Sequence, residues 1–245
     1  MKKSILLITF TILSIAALPA FSLTGRGIMK KNKRLTEAST CTQSNVLLIM
    51  KGNFKEKKEY SAVSKKYGSR TRTRINFTFP SRIGFLVWDM PGRDSRQWLK
   101  LTSGRVRKIS SSDKDNPWMN SHFYNQDIGS RDIDDFTYSL LGEKMYEGKK
   151  YFQIKSVKIK GTRVYDKSII LVDKQNFLIH RIKFFEKGRH TKTLTLEKYQ
   201  KIQGIWTPRK AVMSRSDGRG RSIMYTKTIR YRSPVADSSL KLEGF

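Results

Sequence analysis

The chain has 245 residues, with 50 Lys and Arg against 20 Asp and Glu, a formal net charge of +30 and a single cysteine, Cys41. That length holds one large domain or two small ones, and a lone cysteine excludes an intramolecular disulfide. The charge makes polyanions the partners its field attracts.

Met1-Lys2-Lys3-Ser4 is a short basic start, and Ile5 to Leu18 follows without a charge. Such a run has the length of a signal-peptide core and is short for a membrane span. Pro19 breaks it, and Ala20-Phe21-Ser22 puts small residues at the two positions a signal peptidase reads. Residues 1–22 are therefore expected to be a signal peptide cut before Leu23, and residues 23–245 a single exported domain, since no linker, repeat or low-complexity tract interrupts them. A retained anchor is the rival reading, and the short apolar run weighs against it. With no cysteine at the cut, a lipid-anchored terminus is not expected. Removing Lys2 and Lys3 leaves +28 of the +30. Export removes nucleic acid as the partner of that charge and leaves lipid headgroups, envelope polymers and acidic proteins. A solubility role serves equally as an account of the charge, which says nothing of fold.

In chain order, Leu23 to Arg34 reads as a loose basic segment, and Leu35 to Met50 as a helix running into a strand that ends at Gly52. Arg70 to Phe79 alternates, with Ile75, Phe77 and Phe79 on one face and Arg70, Arg72 and Arg74 on the other, as in a strand wet on one side. The arginine row is either an anion contact or an ordinary solvated face. Gly84 to Asp89, Gln97 to Leu101 and Arg105 to Ile109 are shorter strands. Ser110 to Gly148 breaks the pattern and predicts a loop with short helices. Its Trp118, Met119, Phe123 and Tyr124 are either a lid plug over an apolar cavity or a satellite core.

The rest predicts a meander: Tyr151–Lys160, Val164–Val172, Phe177–Glu186, Thr191–Ile202, Ile205–Met213 and Ser222–Arg232, separated by short turns. In the first of these the apolar phase slips from Phe152 and Ile154 to Val157 and Ile159, which predicts a bulge near Lys155-Ser156. In the last, Ile223, Tyr225, Ile229 and Tyr231 are expected on one face. The fold class is mainly β (α+β), a strongly curved antiparallel sheet or open barrel under lid helices.

His122, His180 and His190 are scattered, without metal-ligand spacing, and no nucleophile elbow, phosphate loop or zinc-protease motif occurs. The acids Asp127, Asp132, Asp134 and Asp135 lack the order of a calcium loop. No enzyme activity, metal or cofactor is expected.

Several stretches together resemble a known family: Arg74-Ile75-Asn76-Phe77, Pro80-Ser81-Arg82-Ile83-Gly84, Gln97-Trp98-Leu99-Lys100-Leu101 and Arg105-Val106-Arg107-Lys108-Ile109. Asn120 to Ile128 adds a motif in which Ser121, Phe123, Asp127 and Ile128 fit and Asn120 and His122 depart, and Gly204-Ile205-Trp206-Thr207-Pro208 resembles a late strand. Over roughly Leu47 to Phe245 the chain is similar to the outer membrane lipoprotein-sorting proteins, with the LolA/LolB-like fold of periplasmic lipoprotein carriers. The resemblance implies an open half-barrel lidded by helices, whose apolar interior receives acyl chains, and a non-enzymatic periplasmic carrier that moves a lipid or lipoprotein toward the outer membrane. Cavity or lid candidates are Phe77, Phe79, Phe85, Trp98, Trp118, Met119, Phe123, Tyr124, Ile223 and Tyr225. Arg70, Arg72 and Arg74 are the headgroup candidates. Implied partners are an acyl lipid or lipoprotein, an anionic membrane surface, an inner-membrane donor complex and an outer-membrane acceptor. The alternative is a basic envelope protein that binds anionic lipid or polymer surfaces, or a lipid-sensing regulator, on the same fold.

Overall fold

A computed structural model describes residues 23–129, 131–161 and 164–245; the expected signal segment, residues 1–22, lies outside them. The first element is helix α1, Gly25–Thr36. Thr24 caps it, its Oγ1 accepting from the Gly27 N–H at 3.1 Å, and Lys33 and Arg34 complement the negative end of the dipole. The segment expected to be loose is thus helical, and the helix expected from Leu35 has ended by Glu37. Only Ile28, Met29, Asn32 and Gly25 are buried, too few apolar residues to give a periodic signal. Docking on the sheet stabilises this helix: Asn32 Nδ2 donates to the Phe177 carbonyl at 2.9 Å. Gly25 lies flat on the last strand pair, where an added Cβ would sit 3.0 Å from the Leu140 nitrogen.

Strands follow as β1 (Thr40–Lys51), β2 (Phe54–Tyr67), β3 (Arg70–Phe79), β4 (Gly84–Trp88), β5 (Arg96–Lys100) and β6 (Val106–Ile109). After the intervening segment come β7 (Phe136–Tyr146), β8 (Lys149–Lys158), β9 (Lys167–Asp173), β10 (Ile179–Glu186), β11 (Arg189–Ile202), β12 (Ile205–Arg215) and β13 (Arg221–Tyr231). Among the described residues all thirteen join one antiparallel sheet, in the order β6-β5-β4-β3-β2-β1-β13-β12-β11-β10-β9-β8-β7. Two meanders therefore meet at the central β1–β13 pair, and β6 and β7 are its two free edges. The sheet is curved and unclosed, in agreement with the expected fold class.

β7 is a strand where a loop was expected, and β2 was missed. Its Lys- and Glu-rich sequence has no apolar alternation, yet Tyr60 and Ala62 belong to the core, and the buried Lys58 is paired with Glu56. β8 keeps its phase: Phe152, Ile154 and the almost fully buried Ser156 all point inward, so no bulge occurs at Lys155-Ser156. The irregularity lies opposite, between Leu140 and Gly142 of β7. In β13 a register shift at Lys227 divides the four residues expected on one face. Ile223 and Tyr225 oppose Leu48 and Val46, whereas Ile229 and Tyr231 oppose Gln43 and Cys41 on the other face.

The core fills the concave side, from Leu47, Ile49, Phe77 and Phe85 across to Ile154, Ile170, Ile182 and Met213. A second cluster lies on the convex side, where Leu86 and Trp98 pack against Phe245 with Trp88 and Leu242 around them. Here the C-terminal segment crosses β2–β5: Lys65 and Tyr67 bind Asp237 at 2.7 and 2.6 Å, and Trp88 Nε1 donates to the Leu240 carbonyl at 3.0 Å.

Candidate functional site

Residues Ser110 to Asp135 connect the two edge strands and cover the concave face. Four 3-10 turns shape them: Ser111–Asp113, Trp118–Asn120, Asn125–Asp127 and Ile133–Asp135. Trp118 is the deepest anchor. Only 1% exposed, its ring lies 5.3 Å from Phe77 and 5.8 Å from Tyr60 and Phe85. Burying an indole of this size supplies several kcal/mol, about 25 cal/mol per Å² of apolar surface. Phe123 is buried beside it and Met119 packs partly buried against the same core, with φ of 51°. The backbone closes a small loop here, the Trp118 N–H donating to the Phe123 carbonyl at 2.8 Å.

Hydrogen bonds fasten this lid on both sides. Toward β5, Gln97 Nε2 donates to the carbonyls of Asn125 and Ile128 at 2.9 and 3.1 Å, and Lys114 Nζ donates to the Ser95 carbonyl at 2.9 Å. Toward β13, the His122 N–H donates to Ser222 Oγ at 3.0 Å while His122 Nδ1 lies 2.8 Å from the same oxygen. That oxygen has a second lone pair and a proton of its own, so either Nδ1 or the hydroxyl can be the donor of this bond. Burial, with Lys51, Lys192 and Arg215 nearby, pulls the imidazole down to about 4. Toward the second meander, Tyr165 donates to Asp127 Oδ2 at 2.9 Å and stacks on Phe184 at 4.4 Å. Burial raises Asp127 above the ordinary carboxylate range. Tyr124 lies on Tyr165 at 5.8 Å and covers the ammonium of Lys192, whose pKa burial lowers to about 8.

Between lid and sheet is a cavity of about 180 Å³. Its floor is apolar, made by Ile182, Phe184, Leu194 and Met213 with Phe123. Its rim is charged with both signs: Asp89, Asp94, Asp132 and Asp135 against Arg93, Lys114, Arg131 and Lys158. Lys158 and Asp94 are 3.4 Å apart, and burial lowers Lys114 to about 8. A cavity with a greasy end and a balanced polar end fits an amphipathic molecule. Among the described residues no group of His, Cys, Asp or Glu is arranged to hold a metal ion.

The sequence candidates divide. Phe77, Phe85, Trp118, Met119 and Phe123 meet in the core beneath the lid, and Phe123 also lines the cavity. Tyr124 is in the lid beside it. Four are elsewhere. Phe79 is 52% exposed at the end of β3. Trp98 belongs to the convex cluster, because its neighbours Gln97 and Leu99 take the inward positions of β5. Ile223 and Tyr225 point outward, since Ser222 and Met224 are the inward residues of β13. The arginine row exists on the convex face, but Arg74 Nη1 donates to the Gly244 carbonyl at 2.8 Å and Arg72 lies over Trp88 at 4.3 Å. Only Arg70 of the three is fully exposed. Leu194, Met213, Tyr165, Gln97, Ser222 and Lys192 were missed. Apart from Tyr165, just before β9, they lie on four strands, β5, β11, β12 and β13, and only the pairing brings them together.

No curated protein matches this chain. A DUF1329 family protein from Desulfovibrio piger is 23% identical, covering 89% of this chain and 96% of that one, with a TM-score of 0.85. A putative outer membrane lipoprotein-sorting protein domain from Vibrio parahaemolyticus is 20% identical over 89% of this chain and 97% of that one, with a TM-score of 0.84. A LolA superfamily protein from Nitrosomonas europaea is 17% identical over 91% and 99%, with a TM-score of 0.74. The fold is therefore the one that the resemblance of the sequence implied. A family model described as "uncharacterized protein" matches residues 69–243, which include β3 to β13, the lid and the cavity, and the chain belongs to that family.

Proposed function

We propose that the protein is a non-enzymatic carrier that takes the acyl part of a lipid or lipoprotein beneath the lid and moves it between envelope membranes. The observation that carries this reading is the cavity with an apolar floor and a two-sign rim under a hydrogen-bonded lid. Each methylene transferred from water to such a floor contributes about 0.8 kcal/mol, so even half a chain binds usefully. The cavity is small for a whole chain, so loading lifts the lid and separates the anchors of Phe123 and Trp118 from the core. The proposed site is Phe77, Phe85, Trp118, Met119, Phe123 and Tyr124, with Ile182, Phe184, Leu194 and Met213 as its floor.

The likeness to the lipoprotein-sorting and LolA superfamily structures supports the same reading. The compartment proposed is the periplasm, reached by cleavage before Leu23, with a donor complex in the inner membrane and an acceptor in the outer. Among the described residues no helix is long and apolar enough to cross a membrane.

Mass spectrometry of detergent-free protein tests the function. Stoichiometric acyl lipid is expected, and Leu194→Trp, which fills the floor, lowers it severalfold. Protein that carries no lipid and takes up none from vesicles refutes the carrier.

A further inference from the structure

The edge strand β7 is exposed along seven consecutive residues, Ser139 to Met145. In a sheet with one covered face, alternate residues should be buried. Here neither set is, so the strand projects beyond the core. Leu140, Leu141 and Met145 are 37%, 52% and 58% exposed, and all three belong to this edge strand. The irregularity between Leu140 and Gly142 takes Leu141 out of register with β8. The same strand exposes Lys144, and on β8 the exposed Lys150 stands opposite Met145, with Lys149 and Lys155 opposite Tyr146 and Ser139. Glu143 is paired with Lys174. At its other end β7 begins with Phe136, which lines the cavity.

We propose that the β7 edge is the surface by which the protein docks on a bilayer rich in anionic phospholipid. Exposed aliphatics on an edge strand, with exposed lysines on it and on its neighbour, match the acyl–headgroup boundary, where apolar side chains enter a few ångströms and cations meet phosphates. The backbone sets the depth: the unpaired N–H and C=O groups of an edge strand stay hydrated at headgroup level and cannot enter hydrocarbon. A second copy is disfavoured by the high positive charge on each chain, +28 of the +30 remaining without Lys2 and Lys3. β7 then leads from the bilayer to the cavity rim at Phe136. Only that route rests on the carrier reading; the docking itself is read on vesicles, independently of lipid in the cavity.

The test is co-sedimentation of the protein, as recovered after export, with vesicles of phosphatidylcholine alone or with a third phosphatidylglycerol. Binding to the anionic vesicles is expected, weakened by salt. Leu141→Glu and Met145→Glu should each weaken it by about tenfold or more, since each loses burial of one large aliphatic side chain and adds repulsion. Phe79→Glu, which removes an equally exposed apolar residue far from β7, should leave it unchanged. Three results overturn the proposal: β7 variants that bind like the unaltered protein, a Phe79→Glu variant that loses as much as they do, or no binding at all. Self-association without vesicles that Leu141→Glu abolishes assigns the edge to a second copy and overturns it too. Bound lipid in the cavity of a protein that ignores vesicles leaves the carrier reading standing and removes this one.

Discussion

Acid should loosen the lid through His122. The folded protein holds this imidazole neutral, with a pKa near 4 against an ordinary value of 6.5. Below 6.5 the unfolded chain takes up a proton that the folded chain refuses, so stability present above that pH is lost as pH falls toward 4. Linkage gives a loss of about 2 kcal/mol between about pH 7.5 and about pH 5, or about 1 once solvent screening near the surface is allowed for. Urea unfolding of the unaltered protein and of His122→Asn at both pH values measures the difference. His180 and His190, also lowered by burial, titrate in both proteins and cancel. The variant should be less stable at neutral pH and flatter with pH. If its stability falls between the two pH values as far as that of the unaltered protein, His122 is not the group responsible.

Trp118→Ala removes the deepest anchor of the lid and should cost about 3–5 kcal/mol of unfolding free energy, read by denaturant titration. Tyr165→Phe leaves one Asp127 oxygen without its donor; about 1–3 kcal/mol should be lost, and hydrogen exchange should rise across Tyr124 to Ile128 more than elsewhere. Gly25→Val forces a side chain against the β7 backbone, where even a Cβ lies 3.0 Å from the Leu140 nitrogen, and should lower stability by about 1–3 kcal/mol, seen as a lower thermal midpoint. Cys41, whose pKa burial raises to about 11, should resist alkylation in the folded protein near neutral pH and react on unfolding.

How much of this was legible depended on whether burial left a local trace. β3 was read with its limits, because Ile75 and Phe77 alternate with arginines and Pro80 follows. β2 left no such trace: Lys58 faces inward with Glu56 as its partner, and a strand whose inward row carries a charge pair looks solvated. α1 had the same fault, one narrow apolar face in a basic run, with the sheet supplying what the helix lacks. In β8, Ser156 points inward at the cavity, and reading it as polar and therefore outward made a bulge of a regular strand. In β13 the opposite error occurred, since the shift at Lys227 turns one apparent apolar face into two. The lid aromatics were legible because large rings outside a period must bury against something. The cavity was not, because Ile182, Leu194 and Met213 meet only through pairings that no local pattern encodes. The surroundings of Trp98 and of the arginine row were not legible for one reason: the C-terminal segment crosses the convex face, and nothing in the strands announces it.

The covalent path has a mechanical consequence. Among the described residues the sheet ladder joins the two meanders only at the β1–β13 pair, and the chain passes from one free edge to the other through the segment between β6 and β7. The lid is thus also a strap of fixed length tied to both lips of an open trough. Cargo that lifts it must draw the lips together, or the strap must give up its 3-10 turns to gain slack. Either way the girth of the trough and the height of its cover are one variable, so a bulkier cargo would be felt at both edges at once, including the one that carries Leu141 and Met145.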